Sequence, residues 1–233
     1  MISDLTIILQ GRCENETIKL WIENYSEWNV IISTWIDNDI PFNLPKNWKL
    51  IKSEYPKRYG NFQNVDYQIT STLNGLNEVK TKYVLKARLD EYWSSIDIVY
   101  NKMKSDENKV LCSSIFFRPL GLYAYHISDH ILCSTTDNLK TMFNGAYDLL
   151  IKDIRLTNCP ETILGGGFVF SKENIDAAKQ FTTLHLYSDM YLKKWFHIID
   201  VNELKPYIAT QSTSDGRIYF YDNYDNCNCL TEL

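Results

Sequence analysis

Lys82-Tyr83-Val84-Leu85-Lys86-Ala87, running straight into Arg88-Leu89-Asp90-Glu91, reads as a buried β-strand that ends in charge. An apolar run of that length suits a strand covered on both faces, as in a parallel sheet. Just upstream, Asn64 to Leu76 carries Ile69, Leu73 and Leu76 at i, i+4 and i+7, the spacing of an amphipathic helix. Gly75 falls near its end, where a C-terminal glycine is common. Farther back, Leu5 to Leu9 predicts a central strand closed by Gln10-Gly11-Arg12. Glu16 to Tyr25 predicts a helix with Ile18, Trp21, Ile22 and Tyr25 on one face, and Trp28 to Ser33 a second strand ending at Thr34-Trp35. After a connection holding Pro41 and Pro45, a short strand is expected at Trp48 to Ile51, then a loop around Tyr59-Gly60. This alternation implies right-handed βαβ crossovers and a mainly parallel sheet. In such sheets ligands bind at the carboxyl ends of the strands. Gln10, Arg12, Thr34, Arg88 and Asp90 all fall there.

The second half is less regular. Val110 to Ile115 predicts a strand and Tyr123 to Leu132 an extended segment carrying His126, Asp129 and His130. Leu139 to Phe143 and Ala146 to Ile154 predict helices, and Glu161 opens a short element. Phe168-Val169-Phe170 reads as a strand after Gly165-Gly166-Gly167, with amphipathic helices at Glu173 to Phe181 and Tyr191 to Ile199. No repeat, linker or charge block divides the 233 residues, so a single domain is expected.

Composition narrows the function classes. Apolar residues make up 45% of the chain, enough for a substantial core, and the formal net charge is −5. An acidic chain lacks the basic field that meets a nucleic-acid backbone, although a nucleotide needs only a few cations or one metal. No apolar run approaches the roughly 18 residues of a membrane span. The six cysteines are scattered without CxxC spacing, and no signal peptide is evident, so reduced thiols and a cytoplasmic location are expected. Cys227-Asn228-Cys229 is weak as a redox or metal motif.

The sharpest chemical signal is Arg88-Leu89-Asp90-Glu91. A carboxylate at a strand end, with a second beside it, suits a divalent cation, and Arg88 shares the strand face of Asp90. An ordinary ion pair is the plain alternative. His126 and His130 stand i, i+4 but without HExxH, so a zinc site there is disfavoured. Gly165-Gly166-Gly167 lacks the Lys-Ser/Thr of a P-loop and reads better as a close backbone approach. Most of the 16 Tyr and 6 Trp must be core. Trp35, Tyr92 and above all Trp93, just past Asp90, are candidate platforms for stacking a sugar ring, and Tyr219 to Tyr224 is a further aromatic cluster.

Gln68-Ile69-Thr70-Ser71-Thr72, Gly75-Leu76 and Tyr83-Val84-Leu85-Lys86-Ala87-Arg88-Leu89-Asp90 together resemble the WavE family of lipopolysaccharide-synthesis proteins. Ile8-Leu9-Gln10-Gly11, Ile32-Ser33-Thr34-Trp35, His126-Ile127-Ser128-Asp129 and Pro160-Glu161 extend the match in order from about residue 5 to 165. Tyr67 stands where the family tends to have Arg, and Arg12 where it more often has Pro. The resemblance implies an α/β, GT-A-like glycosyltransferase domain with a mixed, mainly parallel sheet flanked by helices. It implies donor contacts at Arg88, Gln10, Thr34 and Gln68, and Gly11, Arg12 and Lys86 beside them are further candidate donor contacts. A manganese or magnesium ion is implied on Asp90, which plays the part of the D-x-D motif. Asp129 and Glu161 are the candidates for the base, since an inverting transferase needs a carboxylate to take the acceptor proton; a His-tied or helix-start carboxylate is the plain alternative for each. GT-A domains of this layout also occur in large DNA viruses, and the richness in Asn, Ile, Lys and Tyr matches an AT-rich genome.

The resulting expectation is a transferase moving a sugar from a nucleotide-sugar, a UDP-sugar first of all, to a glycan acceptor. Residues up to about 95 would bind the donor and residues 96–233 the acceptor. The alternatives are a non-catalytic glycan-binding protein and a sugar nucleotidyltransferase. The latter normally carries a Gly-rich basic loop that Gln10-Gly11-Arg12-Cys13-Glu14 does not match.

Overall fold

A computed structural model describes residues 3–57, 64–114, 124–154, 159–204 and 206–208. The Tyr59-Gly60 loop, the Tyr219 to Tyr224 cluster and the Cys227-Asn228-Cys229 pair lie outside them. In chain order the elements are β1 (Leu5–Gln10), α1 (Asn15–Tyr25), β2 (Asn29–Trp35), β3 (Trp48–Ser53), α2 (Val65–Glu78), β4 (Tyr83–Arg88), β5 (Glu91–Trp93), α3 (Ile96–Lys104) and β6 (Val110–Ser113). They continue with β7 (Ile131–Thr135), α4 (Thr136–Ile151), α5 (Pro160–Glu173), α6 (Ala177–Trp195), β8 (Phe196–Ile199), α7 (Val201–Leu204) and β9 (Pro206–Ile208).

Seven strands form one mixed sheet in the order β3-β2-β1-β4-β7-β6-β8, the α/β arrangement that the GT-A-like expectation required. All neighbours are parallel except β7, which runs antiparallel to both β4 and β6. A separate ribbon pairs β5 with β9. Every residue of β1 is buried, because helices cover both faces. Ile8, Ile31 and Val84 pack with α2, α4 and α5 on one side; Ile7, Leu9 and Leu85 pack with α1 and α3 on the other.

The reversal of β7 matters for the site. In an antiparallel neighbour, the segment entering β7 lies beside the end of β4, so Ala87 pairs with Ile131. Residues just before β7, including Asp129 and His130, thus meet Arg88 and Asp90.

Several local expectations are corrected. Gly75 is not a helix cap. It lies inside α2, and a Cβ there would stand 2.8 Å from Ile8 Cγ2, so its bareness brings the helix onto β1. Phe168-Val169-Phe170 is helical, part of α5, as are the three preceding glycines. Leu139 to Ile151 is one continuous helix, α4, and it contains Gly145. Helix α6 stops at Trp195, and Phe196–Ile199 is a strand paired with β6. Of the segment from Tyr123 to Leu132, Ile131 and Leu132 belong to a strand.

Helices α4 and α5 cross where Gly145 and Gly167 meet. A Cβ on Gly167 would lie 2.3 Å from Ala146 N, and one on Gly145 2.3 Å from Gly167 O. A glycine costs a helix about 1 kcal/mol relative to alanine. The close crossing outweighs that cost. Gly167→Ala should therefore destabilise the chain by about 1–3 kcal/mol, the usual range for overpacking. Thermal unfolding measures it, and an unchanged or raised midpoint would contradict so tight a crossing.

Candidate active site

The site lies at the carboxyl ends of β1, β2 and β4 and at the start of β7. Gly11 turns the chain off β1 with φ 108, a conformation that glycine adopts without strain. Its N–H donates to Ser33 O at 3.1 Å, and Gln10 O accepts from Leu89 N at 2.8 Å. Gln10 is buried at that strand end. Thr34 is fully buried and its hydroxyl accepts from Asn38 Nδ2 at 2.6 Å.

Arg12 is exposed and donates to Tyr55 Oη at 3.1 Å, while Tyr55 donates to Asp37 Oδ1 at 2.8 Å. The Tyr55 ring stacks on Trp35 at 4.8 Å between centroids, and Tyr67 approaches both rings edgewise or tilted. The tyrosine at position 67 thus completes an aromatic trio beside a cation and a carboxylate.

A second, partly buried network is centred on Arg88. Its Nε and Nη2 donate to the two oxygens of Asp90 at 2.9 and 2.6 Å, and Nε lies 3.1 Å from Glu91 Oε1. The same Glu91 oxygen stands 2.5 Å from His130 Nδ1. Asp129 accepts from Gln68 Nε2 at 2.6 Å, its backbone carbonyl accepts from Lys86 Nζ at 2.5 Å, and Oδ1 lies 3.9 Å from His130 Nε2. Lys86 thus reaches Asp129 across the seam between β4 and β7, and Gln68 reaches it from α2.

Burial and charge divide these groups. Burial opposes ionisation of Asp129, but His130, Lys86 and Arg88 outweigh it and hold its carboxyl below the usual range. Glu161 goes the other way: burial and the charge of Asp129 push its carboxyl up. Burial lowers the Lys86 ammonium to about 8, helped by Arg88. His130 is raised, since Glu91 and Asp129 overcome its desolvation. Two neighbouring carboxyl groups with pKa values pushed apart are the pattern of an acid–base pair.

Glu161 sits in the first turn of α5, behind Pro160, and accepts from Cys159 Sγ at 2.7 Å. Trp93 is only 1% exposed, within the core, so the sugar-stacking role given to it from sequence has no open ring face. Tyr55, Asp37 and Cys159 were not singled out from sequence, and Glu91 was read there only as a second carboxylate beside Asp90.

Asp90 fits a resident metal poorly. Both its oxygens are engaged by a guanidinium, and Glu91 is fully buried against Arg88 and His130. A manganese or magnesium ion needs several hard oxygen ligands. Here it would meet one carboxylate already neutralised by a fixed cation. The residues present do not fit a divalent ion at this position.

The model of the WavE lipopolysaccharide synthesis family matches residues 23–181, more than half of the chain. The chain belongs to the WavE family. Asp90, Asp129 and Glu161 all fall within the matched part of this WavE chain. HddC from Yersinia pseudotuberculosis is structurally similar at a TM-score of 0.37 and 10% identity, covering 57% of this chain and 77% of HddC. No curated protein matches the chain. Among the described residues, no helix is long and apolar enough to cross a membrane.

Proposed function

We propose that this WavE-family chain is a glycosyltransferase that moves a sugar from a nucleotide-sugar, a UDP-sugar in the first instance, to a hydroxyl of a growing lipopolysaccharide glycan. The observation that carries this reading is the convergence of two carboxylates: Asp129, at the entry to β7 on Gln68 and Lys86, and Glu161, in the first turn of α5, near enough that burial and the charge of Asp129 together push its carboxyl up. The acceptor hydroxyl oxygen forms the new bond to the anomeric carbon. The bond from that carbon to the diphosphate breaks, and the nucleoside diphosphate leaves with its electron pair. Glu161 takes the hydroxyl proton, as a carboxylate of raised pKa is suited to do.

Residues up to about 95 hold the donor in this reading. The Tyr55 ring, backed by Trp35 and flanked by Tyr67, stacks the base, and Asp37 takes ribose hydroxyls. Gly11 and Arg12 approach the diphosphate. Arg12, exposed beside the β1 turn, is the cation offered to the leaving diphosphate, whereas Arg88, Lys86 and His130 balance the charges of Asp90, Glu91 and Asp129. Residues from 96 onward hold the acceptor.

The test is a thermal-shift series of nucleotide-sugars with and without a chelator. A ligand at 100 times its Kd adds about 2.7 kcal/mol to stability. One nucleotide-sugar should raise the midpoint, the chelator should leave the shift intact, and Tyr55→Ala should remove most of it. No shift with any nucleotide-sugar would overturn the donor site, and a shift abolished by the chelator would overturn the metal-free reading.

A further inference from the structure

We propose that His126, Cys159 and Glu161 form a binding site for a thiophilic divalent cation, zinc in the first instance, and that filling it withdraws Glu161 from proton transfer. The second part rests on the role proposed above for Glu161; the first does not. One ligand atom from each of the three residues lies within 4.8 Å of the others. Cys159 Sγ and Glu161 Oε2 are already 2.7 Å apart.

Two separate parts of the chain build this cluster, and its assembly has a visible cause. His126 lies in the segment before β7, next to Tyr125, whose φ of 58 turns the backbone sharply. Tyr125 O rests directly on α5 at Gly165, where a Cβ would stand only 2.0 Å away. That contact presses the His126 segment against the start of α5, where Cys159 and Glu161 stand two residues apart. Residue 165 must be bare for the three ligands to meet. Gly165, surplus to any phosphate loop, gains a purpose here.

The donor set selects the ion. One imidazole nitrogen, one sulfur and one carboxylate oxygen suit zinc; magnesium and calcium prefer oxygen alone. Zinc bonds of about 2.0–2.3 Å place tetrahedral ligands roughly 3.3–3.8 Å apart. Filling the site would open the Cys159–Glu161 pair from 2.7 Å and draw His126 inward, by rotation of the two half-buried side chains. Two anionic ligands would neutralise the dication, and Asp129 adds a further negative charge felt by both Cys159 and Glu161. Three protein ligands leave a fourth position for water, as in open zinc sites. On binding, the thiol releases its proton to solvent, and no electron changes hands.

Cobalt(II) titration of the full chain is the experiment. The wild type should take up one equivalent and develop thiolate-to-cobalt charge-transfer absorption, which zinc then bleaches. Cys159→Ser should abolish that absorption. His126→Gln should keep it while weakening binding by at least the about 10–100-fold typical of altered metal surroundings. Cys159→Ala serves if the serine variant fails to fold by circular dichroism. A double variant with Cys227→Ser and Cys229→Ser should bind as the wild type does. No charge-transfer band in the wild type, or a band that survives loss of Cys159, would overturn the site. Zinc that binds here but leaves nucleoside diphosphate release unchanged would overturn the role of Glu161 in proton transfer and spare the site.

Discussion

Replacing Glu161 by glutamine should lower the rate of sugar transfer about 10²–10⁴-fold, the range for losing a general base. The substitution keeps shape and one acceptor oxygen, so Cys159 can still donate to residue 161. What disappears is the capacity to take a proton. Loss confined to the transition state lowers kcat and kcat/KM together and leaves donor KM nearly unchanged. Initial rates of nucleoside diphosphate release over a donor series measure both. A fall of less than about tenfold would shift the base to Asp129. The structure disfavours that carboxylate because Gln68, Lys86 and His130 stabilise its ionised form, which makes it a weaker base.

Arg88→Met should destabilise the fold by roughly 3 kcal/mol, the lower end of the range for breaking a buried ion pair. The lower end applies because the Arg88 side chain remains 35% exposed. Glu91, 1% exposed at its side chain, and Asp90, 15% exposed, would lose their shared cation. Arg88 holds the Asp90 carboxyl below its usual range against the cost of burial. The stability this confers is present above the ordinary carboxylate pKa and is lost as pH falls through the depressed value. The gap between wild type and variant, read from urea unfolding, should therefore be full at neutral pH and narrow in acid. Arg88→Met combined with Asp90→Asn should recover part of the loss. A variant as stable as the wild type at neutral pH would show that these charges remain solvated.

The parallel half of the fold was legible in the sequence because β1, β2, β4 and α2 keep clean apolar periods. Gln10, Arg88 and Asp90 could be placed at strand ends for the same reason. The second half was harder. Phe168-Val169-Phe170 has strand-like composition, and three glycines precede it, yet α5 is a helix. Contacts with α4 and Tyr125, invisible in a local window, override propensity there. The sequence offered Asp129 and Glu161 as candidates without showing how their surroundings differ. That follows from three-dimensional neighbours: Gln68 lies 61 residues from Asp129, and Lys86 lies 43. Trp93 failed as a sugar platform because adjacency in sequence to Asp90 does not fix which way a strand residue faces. Beyond Asp90 the strand β5 turns it into the core.

The single reversed strand gives the molecule an internal boundary. Everything on one side of the β4–β7 seam is continuous parallel sheet, whereas the other side is entered from a segment running the opposite way. Five residue pairs, from Tyr83 with Thr135 to Ala87 with Ile131, lock that boundary, and Lys86 meets Asp129 just beyond them. A slip of β7 by one residue would turn its side chains to the opposite face of the sheet. The strand register of this one pair thus fixes which charges face one another.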